Sequence, residues 1–280
     1  MSEPQEVLDT AVQNQPKKRS YWRECLIAVL LLALPVWWFC LHTTPLRVSK
    51  ETALTSSCAE KVGQLSLAFH NHHDAYGQFP PLFSMDANGK PLHSWRVLIL
   101  PFLGKNEATL YKQMRLNEPW DSTYNKQFHN KMPKMFRCPA STQGDPQHDT
   151  IYCMVVGRRT MGVPDGKGIG WIDVIDGTSN TILLVERKTP VCWMEPIDVL
   201  QEHAILGVNT HEHGIGSEHP GGAIVGFADS ATYFVNEGVD LKILELFLLK
   251  SSHQFGTPES PFPHTVKSLN KIKNKSHHEP

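Results

Sequence analysis

From Cys25 to Leu41 the chain reads CLIAVLLLALPVWWFCL, seventeen residues without a charge. At ~1.5 Å of rise per residue, such a run reaches the short end of the roughly 17–25 residues that cross a bilayer. Lys17, Lys18, Arg19 and Arg23 precede it, and only Arg47 and Lys50 follow closely. The excess of positive charge predicts a cytoplasmic N-terminus and an external remainder. Trp37 and Trp38 suit the far headgroup belt, and Pro35 is tolerable inside a membrane helix. A cleaved secretory signal is the rival reading, but Leu41-His42-Thr43-Thr44-Pro45 lacks the small-x-small pattern of a cleavage site. The expected organisation is a cytoplasmic tail at 1–20, one transmembrane helix at 21–45, an extracytoplasmic domain at 46–250 and a loose tail at 251–280.

Taken whole, the chain has the composition of a protein whose mass folds in water. Hydrophobic residues make up 40% and charged residues 20%, which excludes wholesale disorder and a multi-span membrane protein. Lys plus Arg (27) nearly cancels Asp plus Glu (28), so no global field favours a phosphate backbone, and nucleic acid is not an expected partner.

Ser49 to Tyr76 carries Val62, Leu65 and Phe69 at helical spacing, with Gly77 as a stop, and predicts a long amphipathic helix. Asp86-Ala87-Asn88-Gly89 predicts a turn. Ser94 is placed to cap a short helix through Leu100, and Asn106 another through Arg115. Beyond residue 130 the texture becomes that of strands: Ile151–Val156, Thr181–Val185, and a hairpin of Ala223–Phe227 with Thr232–Val235 across Asp229-Ser230. Leu241–Leu249 reads as a last helix. Helix first and antiparallel sheet later make the fold class α+β.

Several side-chain patterns invite a chemical reading. His211, His213 and His219 lie close in sequence, and His70, His72 and His73 form a second cluster, but no His-Glu-x-x-His or Cys-x-x-Cys spacing occurs. The default is therefore no metal and no cofactor, with His211, His213 and His219 as the candidate ligands if one is present. Asp176-Gly177-Thr178-Ser179 belongs to a turn and not to a nucleophile elbow, and the glycines at 166–170 lack a phosphate-loop ending. Glu118-Pro119-Trp120-Asp121 and Trp193-Met194-Glu195-Pro196 set carboxylates beside tryptophan, a pattern that suits either a sugar site or core packing. Outside the apolar run stand Cys58, Cys138, Cys153 and Cys192, four thiols with three possible pairings or none.

Certain stretches occur in an order that resembles one family. They are Leu65–Asp74 followed by Phe79-Pro80-Pro81; Asn88–Leu98, which includes Trp95 and Arg96; Glu118–Ser122, which includes Trp120 and Asp121; and Phe136-Arg137-Cys138-Pro139. Asp176-Gly177-Thr178-Ser179-Asn180-Thr181, Trp193–Pro196 and His219–Asp229 complete the set. Together they resemble a bacterial pilin-like family of unknown function, domain of unknown function 1559, marked by a C-terminal His-x9-Asp-Gly signature. The resemblance spans about residues 58–235 and carries over His70, Asp74, Trp95, Arg96, Trp120, Asp121, Asp176, Asn180, His219 and Asp229 as signature positions. It implies a long helix packed on an antiparallel sheet with inserted short helices. Two departures stand out. Ser20 and Glu24 do not reproduce the prepilin cleavage pattern, and Ser230 replaces the glycine that ends the signature.

The combined expectation is a non-catalytic structural or interaction protein, single-pass in the bacterial inner membrane, with its C-terminal domain on the periplasmic or outer side. Its partners would be the membrane and either other pilin-like subunits or a cell-surface polymer. The alternatives are an extracytoplasmic metal-dependent hydrolase using His211, His213, His219 and Asp229, and a polysaccharide-binding module.

Overall fold

A computed structural model describes residues 21–252. The expected N-terminal tail at 1–20, and all but the first two residues of the expected C-terminal tail, lie outside the described residues. Contacts divide the chain into two units, Met1–Lys50 and Glu51–Pro280.

Helix α1 (Tyr21–Tyr76) is a single element through Pro35 and Pro45, so the expected boundary near residue 45 is not a helix end. Among the described residues, no helix is long and apolar enough to cross a membrane. Within the run Cys25–Leu41, the side chains of Cys25, Leu26, Ala28, Val36 and Trp38 to Leu41 lie outside the described residues. Those of Ile27, Val29, Leu30, Leu31, Leu32, Leu34 and Trp37 are exposed.

In the second unit the last turns of α1 follow the predicted pattern. Cys58, Val62, Leu65 and Phe69 are fully buried, at the 3- and 4-residue spacing that puts side chains on one helix face. Gly77 ends the helix in the left-handed region (φ +74°), with its N–H returned to the His73 carbonyl at 2.7 Å.

After α1 come a small hairpin of β1 (Phe83–Met85) and β2 (Pro91–Ser94), then α2 (Trp95–Leu98) and α3 (Lys105–Gln113). The Asp86 carboxylate accepts from the Asn88 and Lys90 N–H groups, so the predicted turn joins two short strands. Ser94 caps α2 by accepting from the Arg96 N–H. The cap of α3 is Gly104 and not Asn106, which falls inside the first turn, and the helix stops at Gln113.

The central sheet contains β3 (Asp149–Cys153), β5 (Ile182–Cys192), β7 (Gly222–Phe227) and β8 (Thr232–Asn236), ordered β3-β5-β7-β8 and antiparallel throughout. The expected strand at 151–156 is broken at Met154. Its N–H donates to Asp198 and its carbonyl accepts from Val199, which turns the chain into a short parallel pair, β4 (Val155–Val156) with β6 (Val199–Leu200). A four-residue helix, α4 (Gln201–Ala204), follows, and α5 (Leu241–Leu248) closes the fold on an Asp240 cap.

The long helix lies on this sheet. A Cβ added to Gly226 on β7 would stand 2.6 Å from Val62 Cγ1 and 3.1 Å from Ser66 Oγ, so glycine permits the close approach. His70 Nε2 adds a 2.8 Å hydrogen bond to the Ala228 carbonyl. Both faces of the sheet are covered. One core joins Val62, Leu65 and Phe69 to Trp95, Phe136 and Trp193, and a second joins Val185, Val225 and Val235 to Leu244 and Phe247 of α5. Burial on both sides explains why β5 and β7 read as continuous apolar runs instead of alternating ones.

Candidate functional site

β5 is irregular where it matters. Tyr152 pairs with Glu186 but Thr150 already pairs with Val191, so Arg187 to Pro190 bulge away from β3. Proline is tolerated there because no ladder donor is required of it. The bulge forms one wall of an open cleft of about 680 Å³. Trp120, Asp121 and His129 come from the segment after α3; His148 and Asp149 come from the start of β3, and Cys192 and Glu195 from beyond the bulge.

Its side chains are held in place. Trp120 and His129 stack at 5.1 Å with 24° between planes, and His129 Nε2 donates to the Trp120 carbonyl at 3.0 Å. Trp193 Nε1 donates to the His129 carbonyl at 2.9 Å, and the Trp193 N–H to the His148 carbonyl at 3.0 Å. His148 Nδ1 is in close contact with Asp149 Oδ1, and Asp149 Oδ2 accepts from the Asp145 N–H at 2.8 Å. Arg187 donates to Thr189 Oγ1 at 2.7 Å and to His213 Nδ1 at 3.0 Å. Burial pushes the Cys192 thiol up to about 11, and burial also raises the Glu195 carboxyl. Burial thus favours the neutral Cys192 thiol in the metal-free cleft.

The signature positions scatter to different tasks. Trp95 and Arg96 are fully buried, and both donate to Asp198 Oδ1, Trp95 Nε1 at 3.0 Å and Arg96 Nη2 at 2.9 Å. Arg96 also donates to the Tyr152 carbonyl at 2.9 Å and to Cys153 Sγ at 3.1 Å. The Cys153 thiol is free, and burial raises it to about 12. Asp176 is buried and accepts from the Ser252 N–H, while its carbonyl accepts from Asn180 Nδ2 at 2.9 Å. Asp74 is exposed, and Asp229 sits exposed in the β7–β8 turn, accepting from the Ala231 N–H. Of the ten, only Trp120 and Asp121 reach the cleft.

His219 lies elsewhere, 3% exposed, with Nε2 3.5 Å from Glu186 Oε1 and Nδ1 3.2 Å from Thr55 Oγ1. Beside it, Cys58 and Cys138 are joined in a disulfide, while Cys192 remains a free thiol like Cys153. His211 and His213 gather instead around His203, whose ring stacks on His211 at 4.1 Å. Among the described residues, no metal-ligand cluster joins His211, His213 and His219. His70 and His73 pack on the same Trp171 ring, whereas His72 donates to the Gln78 carbonyl.

Comparison with known families decides the relationship. The model of the family described as protein of unknown function (DUF1559) matches residues 49–205. The chain belongs to this family. No curated protein and no solved structure matches the chain. Within this DUF1559 chain the match covers α1 from residue 49, the disulfide and nearly all of the cleft, but not His213, His219 or the β7–β8 hairpin.

Sequence reasoning missed His129, His148 and Glu186. Two isolated histidines carry no spacing signal. Glu186 and Arg187 did offer one, as charges inside an otherwise apolar strand, Ile182-Leu183-Leu184-Val185.

Proposed function

We propose that this DUF1559 chain is a membrane-anchored, non-catalytic, pilin-like protein that displays its globular unit outside the cytoplasm as a binding surface. The observation that carries the reading is the exposure of Ile27, Val29, Leu30, Leu31, Leu32, Leu34 and Trp37 on α1. Four consecutive positions sweep roughly 300° around a helix of ~3.6 residues per turn. A helix that is apolar all round requires an apolar surrounding, whether a bilayer or other protein. The Cys58–Cys138 disulfide supports an oxidising compartment for the second unit.

The test is expression of the full chain in a bacterium, followed by alkaline extraction of membranes and intact-mass analysis. Retention in the extracted membrane with Met1 intact supports an uncleaved anchor. Mass loss at Ser20 would turn the reading towards fibre assembly, and release into the alkaline supernatant would overturn anchoring.

A polysaccharide ligand is favoured by one specific observation: the two tryptophan-carboxylate motifs converge, placing Trp120, Asp121 and Glu195 on the same cleft. If a glycan binds there, Trp120→Ala removes the retention of the full chain on immobilised cell-wall polymer. Unchanged retention would exclude the cleft as its site.

A further inference from the structure

We infer that the cleft holds a thiophilic divalent cation of the zinc type on His129, His148 and Cys192. One ligand atom from each of these three residues lies within 4.8 Å of the other two, so modest side-chain movement brings them to the roughly 3.5 Å that separates the ligand atoms of a tetrahedral zinc ion. The hydrogen bonds around the two rings identify the ligand atoms. A neutral imidazole has one donor and one acceptor nitrogen. His129 Nε2 faces a carbonyl and His148 Nδ1 faces a carboxylate, partners that only accept. Each ring therefore donates at that nitrogen, which leaves the lone pairs on His129 Nδ1 and His148 Nε2. This is the outer-shell arrangement by which carboxylates and carbonyls orient metal-binding histidines.

The rings are also restrained before any ion arrives. Trp120 stacks on His129, and Trp193 clamps the backbone of both histidines. Asp149, the carboxylate partner of His148, is the register partner of Cys192 across β3 and β5, so the sheet itself sets one ligand beside another. The third ligand is a free thiol. On binding, Cys192 releases its proton to solvent and coordinates as thiolate, and two nitrogens with one sulfur suit a borderline-soft ion better than calcium or magnesium. The fourth position faces the open cleft, where water or the Glu195 carboxylate would complete a tetrahedron. The inference deepens the reading of the cleft as a binding site and is independent of the anchor.

The experiment uses the detergent-solubilised full chain with its disulfide intact, titrated with Co²⁺ as the spectroscopic probe and then with Zn²⁺. The expected result is a near-ultraviolet thiolate-to-cobalt band that saturates at one equivalent and is bleached by one equivalent of zinc. Histidines 264, 277 and 278 of the C-terminal sequence contain no sulfur and cannot produce that band. Cys192→Ser is expected to abolish it while keeping the metal-free circular dichroism and thermal midpoint. Asp149→Asn is expected to weaken cobalt binding by ~10–100-fold, as loss of an outer-shell partner does. Absence of the band in the wild type would overturn the site, and so would its persistence in Cys192→Ser. Neither outcome bears on membrane retention, so the two proposals fail separately.

Discussion

Ser230 occupies a left-handed conformation, φ +68°, between β7 and β8, where the Phe227 N–H donates to the Ala231 carbonyl and closes a three-residue loop that ends at Ser230. Loops of this length place one residue in that region, and glycine is its natural occupant. A non-glycine residue pays ~1–2 kcal/mol there. Its Oγ is also buried without a hydrogen-bond partner. Ser230→Gly should therefore stabilise the globular unit by about 1 kcal/mol, raising its melting temperature by roughly 2–4 °C. An unchanged or lower midpoint in a thermal melt would show that the loop relaxes the strain by another route. Asp198 presents the opposite case. Its Oδ1 accepts from Trp95, Arg96 and the Met154 N–H, and the Arg96 guanidinium is fully buried. Asp198→Ala leaves that cation without its counter-charge and should cost about 3–5 kcal/mol by chemical denaturation. The resemblance singled out Arg96 but not its partner, because nothing local links residues 102 apart in sequence.

At the scale of elements, the disulfide ties α1 to the segment Phe136-Arg137-Cys138-Pro139 across 80 residues of chain, with Cα atoms 5.5 Å apart. Closing so long a loop restricts the unfolded chain, and the loop-entropy relation gives about 4.5 kcal/mol. The double variant Cys58→Ser, Cys138→Ser should lose about that much in a denaturant titration, and a reducing agent should lower the wild type to the same level. A loss under ~1 kcal/mol would mean that the core around Phe136 and Trp193 already restricts the loop when the bond is absent. Element types were largely readable from sequence: α1 from residue 49 to its glycine stop, the β7–β8 hairpin and α5 stand where periodicity put them. β5 was underestimated, because Arg187 to Pro190 reads as a strand end. Only the tertiary register, which resumes at Val191, reveals a bulge. That bulge builds the cleft wall, so the feature hidden from sequence is the one that makes the candidate site.

On the scale of the whole globular unit, two cores flank one sheet, and pH acts through buried imidazoles. His93 is fully buried and His72 nearly so, and desolvation lowers both below the ordinary histidine value of 6.5. The sign follows from linkage. Above 6.5 both rings are neutral in folded and unfolded chains and contribute no slope. As pH falls through 6.5, the unfolded chain takes up protons that the folded chain refuses, so stability declines until pH reaches the lowered folded values. The denaturation midpoint should thus fall from about pH 7.5 to about pH 5.5, within the histidine range. His93→Gln should reduce that slope and leave the part due to His72, whatever it does to stability at neutral pH, because glutamine does not titrate. A slope identical to wild type would mean that His93 takes up a proton in the folded state and that acid sensitivity arises elsewhere. This readout also separates packing from charge, since loss of packing lowers the midpoint equally at every pH while loss of a refused proton changes only its pH dependence.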